Sequence, residues 1–116
     1  MITWEANYGK QVLREDSGAR YRDIDRKRLI SFRIVDGPTI LMDVALSNPN
    51  KFAYRRRTIV TGGVKNVQYL VGDVQHGSCA IYDTASSRIF SGTFGDEHPV
   101  AKFDPPVPHP YEGEMF

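Results

Sequence analysis

From Leu29 onward apolar residues return at every second position, in short runs separated by turn residues. Ile30, Phe32 and Ile34 share one parity, with Ser31 and Arg33 on the other. Ile40, Met42, Val44 and Leu46 repeat the pattern against Asp43 and Ala45. Side chains alternate between the two faces of a strand, so this spacing buries one face and leaves the other to solvent. Asp36-Gly37-Pro38-Thr39 joins the two runs. Glycine accepts φ > 0 and proline fixes φ, which predicts a hairpin.

Ser47-Asn48-Pro49-Asn50 predicts the next turn, from which a strand over Phe52 to Val60 returns and stops at Thr61-Gly62-Gly63. Asn66 to Val74 and Ser78 to Asp83 predict a further hairpin around His76-Gly77, and Arg88 to Phe94 a last strand. Before Leu29, Ile2, Trp4, Tyr8 and the Gln11-Val12-Leu13 run supply one or two more strands, with Glu15-Asp16-Ser17-Gly18 as a loop. No segment keeps a helical period over the roughly 11 residues that would define a helix. Asp25-Arg26-Lys27-Arg28 suits a single helical turn, with Asp25 as N-cap and Ile24 and Leu29 anchoring it to the sheet. The expected fold is therefore all-β: a single-domain antiparallel sandwich or small barrel with at most one short helical turn.

The chain has 116 residues, enough for one core without a metal or disulfide staple. At 41% apolar and 25% charged residues, disorder throughout is excluded. Cys79 is the single cysteine, so an intramolecular disulfide and the multi-cysteine zinc patterns are excluded as well. No charged-then-apolar leader and no apolar run of about 18 residues is present, which predicts no membrane partner and a cytoplasmic protein, in the host cytoplasm if viral. Residues 1–95 form the expected β-rich domain, and 96–116 a proline-rich C-terminal tail. Pro99, Pro105, Pro106, Pro108 and Pro110 favour extended geometry there. Val100, Phe103, Val107, Tyr111, Met115 and Phe116 are more than a solvated tail needs. They predict packing on the domain or on a second protomer, and so a candidate homo-oligomer.

The net charge of +1 conceals an asymmetry. Residues 1–70 hold 13 basic against 7 acidic side chains, and residues 71–116 hold 2 against 7. Such a division suggests an anionic partner, or an acidic half that folds back on the basic one. Within the basic half, Phe-Ala-Tyr-Arg-Arg-Arg-Thr-Ile-Val sets three consecutive arginines in a strand. Arg55 and Arg57 emerge on one face and Arg56 on the other. With Arg33 and Tyr54, Arg55 and Arg57 are the candidate ligand contacts, since guanidinium groups bind phosphate or carboxylate bidentately and tyrosines offer stacking surface. A small nucleotide or an acidic protein surface suits the near-zero net charge better than long nucleic acid does. Arg56 shares the parity of Phe52 and Tyr54, so it reads as a structural charge in need of a carboxylate; Asp43 is the candidate.

Other constellations are weaker. Asp73, His76 and Cys79 surround the predicted hairpin, and a Cys79/His76 pair is the enzymatic alternative. A lone cysteine in an apolar strand is more often a small core residue. His98 and His109 make no metal spacing with His76, so neither a metal site nor a cofactor is expected. Asp23 and Asp25, flanked by Arg22 and Arg26, suit capping and local ion pairs better than acid–base work. Thr61-Gly62-Gly63 lacks the spacing of a phosphate-cradling loop.

Tyr21-Arg22-Asp23-Ile24-Asp25-Arg26, then Leu29 and Phe32, then Tyr54-Arg55-Arg56-Arg57 resemble a pattern in small uncharacterised bacteriophage proteins, over roughly Ala19 to Val60. The resemblance implies a compact phage accessory protein and carries no catalytic residues. The expected function is thus a non-enzymatic, phage-type protein that binds an anionic ligand through its arginine-bearing strand. The alternative is a structural or assembly protein, either a minor virion component or a homo-oligomer.

Overall fold

A computed structural model describes residues 1–74 and 77–94. Eight strands follow one another: β1 (Ile2–Asn7), β2 (Val12–Arg14), β3 (Ser31–Asp36), β4 (Thr39–Ala45), β5 (Phe52–Thr61), β6 (Val64–Asp73), β7 (Ser78–Asp83) and β8 (Arg88–Thr93). They form two antiparallel sheets of four, ordered β2-β1-β3-β4 and β5-β6-β7-β8. The all-β expectation holds. Three separate 3-10 turns (Glu15–Ser17, Tyr21–Asp23 and Pro49–Lys51) replace the single helical turn expected. Over Asp25 to Arg28 the chain makes a hydrogen-bonded turn instead, with the Lys27 amide donating to Asp25 Oδ1 at 3.1 Å.

The turns follow from the residues in them. Gly37 takes φ +58° between β3 and β4, and Gly62 and Gly63 take φ +58° and +80° between β5 and β6. Two positive φ values in a two-residue loop match the right-handed twist of the strands they join, which is why a Gly-Gly pair closes this hairpin. After β4, residues 46–51 carry the chain to the second sheet, and Pro49 opens the 3-10 turn there.

The sheets meet through the faces that the alternation marked. Trp4, Ala6, Phe32, Ile34, Met42 and Val44 from the first sheet are buried in one cluster with Phe52, Tyr69, Val71, Ala80, Tyr82 and Ile89 from the second. Ile24 and Leu29, from the segment between β2 and β3, join the same cluster as expected. Phe32 is its hub, with ring centroids 5.6 Å from Trp4, 5.2 Å from Phe52 and 5.2 Å from Tyr54. Arg26 locks this end. Its guanidinium lies 4.3 Å from the centre of the Phe52 ring and donates to the Phe52 carbonyl at 2.8 Å and the Pro49 carbonyl at 3.2 Å.

One element of the pattern breaks. The register of β3 with β4 shifts between Ile34 and Val35, so Ile34 pairs with Met42 but Val35 pairs with Ile40. Leu41 is the extra residue of a bulge, which reverses parity beyond it. Ile40, which alternation places in the core with Met42, is 51% exposed.

Candidate functional site

The arginine strand is β5, an edge of the second sheet, and its three arginines have three different environments. Arg55 and Arg57 point to the outer face of that sheet, where Arg55 pairs with Leu70 and Arg57 with Gln68. Arg55 Nη1 donates to the Phe94 carbonyl at 3.3 Å, and Arg57 Nε donates to Gln68 Oε1 at 3.0 Å. Gln68 Nε2 donates onward to Asp83 Oδ1 at 2.8 Å. Burial pushes the Asp83 carboxyl up, but hydrogen bonds from Gln68, Ser86 and Asn66 outweigh that and hold it below the ordinary carboxylate value.

Arg33 is not with them. It lies on β3, in the other sheet, on that sheet's outer face. Its Nη1 donates to Glu5 Oε2 at 2.7 Å and its Nε to Asp43 Oδ2 at 3.1 Å. Glu5 Oε1 in turn accepts from Arg14 Nη1 at 2.8 Å, and Arg14 Nε donates to Asp16 Oδ1 at 3.0 Å. Arg14, Glu5, Arg33 and Asp43 are successive cross-strand partners on β2, β1, β3 and β4, so the four form a charge ladder straight across the sheet. Burial works against the Arg33 charge, yet the bonds to Glu5 and Asp43 more than restore it. Arg33 is a structural charge, and Asp43 belongs to it and not to Arg56. The expected pairing of Arg56 with Asp43 fails because the two strands lie in different sheets.

Arg56 and Tyr54 share the inner parity of β5, as expected, but near the open margin between the sheets. Arg56 is exposed there and makes no hydrogen bond or ion pair to any described residue. It lines a cleft of about 680 Å3 with Tyr54, Tyr69 and Val67 of the second sheet and Thr84, the residue after β7. Ile2 and Thr3 of β1, with Glu15 and Asp16 of the 3-10 turn after β2, form the opposite wall. Asp16 is held by Arg14, which keeps its carboxyl below the ordinary value. Glu15 Oε1 accepts the Trp4 amide at 3.2 Å. Burial raises the Tyr54 hydroxyl far above its usual range; the Glu15 carboxylate and Tyr69 add to the rise, and Arg56 opposes it. Tyr54 is therefore a protonated hydrogen-bond donor at any physiological pH.

Comparison of the chain with family models, with curated proteins and with solved structures finds no match.

The remaining candidates resolve as follows. Cys79 is fully buried, which gives a substrate no access to its thiol, and His76 lies outside the described residues. The tail, with His98 and His109, lies outside them too. Asp23 Oδ2 accepts the Arg20 amide at 2.8 Å and Asp25 Oδ1 the Lys27 amide at 3.1 Å, so both cap turns. Among the described residues no group of His, Cys, Asp and Glu is placed to hold a metal ion, and no helix is long and apolar enough to cross a membrane.

Sequence reasoning missed the cleft. Its walls come from β1, the turn after β2, β5, β6 and the residue after β7, and only the face-to-face docking of the sheets assembles them. The one available signal was Arg56, a charge on the apolar parity of its strand.

Proposed function

We propose that this chain is a non-enzymatic binding protein that takes a small anionic ligand, of the nucleoside monophosphate class, in the cleft between its sheets. The observation that carries the reading is the division of the arginine strand. Arg55 and Arg57 donate to the chain's own Phe94 and Gln68, whereas Arg56 is left with its donors in a cleft. A cleft of about 680 Å3 lies within the roughly 300–1,000 Å3 of small-molecule sites.

Each wall has a role in this reading. Arg56 offers a fork of donors to a phosphate, and the protonated Tyr54 hydroxyl can add one more. Ile2 and Val67 give apolar contact to a planar base. Glu15 Oε2 accepts nothing from the described residues and suits the amino edge of that base. The phage-type resemblance supplies only a setting for such binding, as an accessory function in an infected cell.

Titration calorimetry with AMP and with adenosine tests the proposal. AMP is expected to bind, adenosine at least tenfold more weakly, and AMP affinity to fall as salt is added because an ion contact is screened. Arg56→Ala should abolish the difference between the two, and the double variant Arg55→Ala, Arg57→Ala should preserve it. Equal binding of AMP and adenosine, or an Arg56→Ala protein that still prefers AMP, defeats the reading.

A further inference from the structure

β5 is an edge strand, and one side of its backbone pairs with no described strand. The Val74 amide donates to the Lys51 carbonyl at 2.8 Å, which makes 51 and 74 a bonded pair. Bonded and non-bonded pairs alternate along an antiparallel ladder, so Ala53, Arg55, Arg57, Ile59 and Thr61 bond to β6. The N–H and C=O groups of Phe52, Tyr54, Arg56, Thr58 and Val60 point the other way. At Phe52 both are engaged, by the Pro49 carbonyl and the Arg26 guanidinium. From Tyr54 to Val60 they have no backbone partner among the described residues, and Arg56, Thr58 and Val60 are exposed. Such an edge is a template for a further strand.

We infer that the β5 edge docks an extended acidic segment of a partner protein, added antiparallel as a fifth strand of the second sheet. The arginine run sets the chemistry of the partner. Arg55 and Arg56 are consecutive, so they emerge on opposite faces of the sheet. A ligand lying in the cleft reaches the inner face alone. A strand beside β5 reaches both, because its successive side chains alternate in step with those they oppose. Acidic residues opposite Arg55, Arg56 and Arg57 therefore meet a cation on each face in turn. Neither Arg55 nor Arg56 has a described carboxylate to give up: Arg55 donates to the Phe94 carbonyl, and Arg56 makes no ion pair to a described residue. The same run turns away a second copy of this chain, since antiparallel pairing centred on Arg56 sets arginine against arginine. Beyond the run, Ile59 and Val60 offer an apolar contact on each face. Main-chain bonds supply the affinity of such a docked strand and alternate side chains its specificity. This inference goes beyond the ligand in the cleft and does not rest on it.

The probe is a blocked peptide, Ser-Val-Ile-Thr-Glu-Glu-Glu-Tyr-Ser, whose glutamates stand opposite Arg57, Arg56 and Arg55 when it runs antiparallel to β5. With the full chain it is expected to bind in calorimetry, and amide exchange at Arg56, Thr58 and Val60, followed by NMR, should slow at least tenfold. N-methylation at its threonine and central glutamate, whose amides face β5, should weaken binding at least tenfold. N-methylation at its isoleucine and first glutamate, whose amides face away, should change binding less than threefold. Arg55→Glu should weaken the peptide at least tenfold, and lysine in place of the third glutamate should restore it. The methylated peptides need no variant of the protein, so the test stands even where Arg55→Glu fails to fold. The proposal is overturned by a parent peptide that does not bind, by methylated peptides that behave alike, or by a folded Arg55→Glu protein of unchanged affinity. It is also overturned if the same amides become protected in the protein alone as concentration rises, which makes a second copy the occupant.

Discussion

Glu5 holds two arginines at once. Its oxygens lie 2.8 Å from Arg14 and 2.7 Å from Arg33, and it is 5% exposed while the arginine side chains keep 27% and 21% of their exposure. Removing the shared carboxylate leaves two like charges on the strands that flank β1, and stripping one partner from a buried pair costs about 3–5 kcal/mol. Partial solvation of both guanidinium groups puts Glu5→Ala at the lower end, about 3 kcal/mol by urea unfolding. Arg14→Ala should cost much less, because Glu5 keeps Arg33. A Glu5→Ala protein within about 0.5 kcal/mol of the parent would mean the ladder contributes no more than an ordinary surface contact. Little of this was legible beforehand. Glu5, Arg14 and Arg33 are spread along the chain, and nothing in the local pattern tells which residues face each other across a sheet.

The β6–β7 pair turns on Gly72. It lies opposite Cys79, and a Cβ at this position would come within 2.6 Å of the Cys79 Cα and run into the Ser78 carbonyl. Both obstacles are backbone, so neither can rotate away. Gly72→Ala should destabilise the protein by about 3 kcal/mol, the upper range of overpacking, with the loss read from the thermal midpoint. A midpoint unchanged within error would mean that β7 can shift, and with it the buried face carrying Cys79. The strands themselves were largely legible from Leu29 onward, because period two is a local property. Ile30 and Ile40 show its limit: both fit the apolar parity, yet they are 53% and 51% exposed. Ile30 precedes the first residue of β3, and the bulge reverses the face at Ile40. The start of β6 at Val64 was also missed, two residues before the expected start at Asn66, since only the pairing of Val64 and Lys65 with Thr61 and Val60 makes them strand.

At the scale of the molecule, order is distributed unevenly along the second sheet. β5 and β6 pair over ten residues each, but β6 meets β7 only from Gln68 to Gly72. The hairpin end, from Thr58 through Gly62-Gly63 to Lys65, is therefore a two-stranded ribbon beyond the sandwich, with Val60 60% and Val64 69% exposed. Two strands without a packed face are marginal in water, so this end should open locally at far smaller free energy than the core. Hydrogen–deuterium exchange is the direct measure. Amides of residues 59–65 should exchange in the earliest time points, while those of Leu70, Val71, Ala80 and Ile81 persist to the last. The same experiment separates a monomeric binding protein from an assembly component. Exposed valines on a ribbon whose β5 edge pairs with no other described strand are a surface on which a second copy could pair. Fast exchange that does not change with concentration leaves the ribbon as a solvated arm beside the cleft. Slow exchange at residues 59–65 that appears only as concentration rises would instead make the ribbon an interface and give assembly the stronger claim.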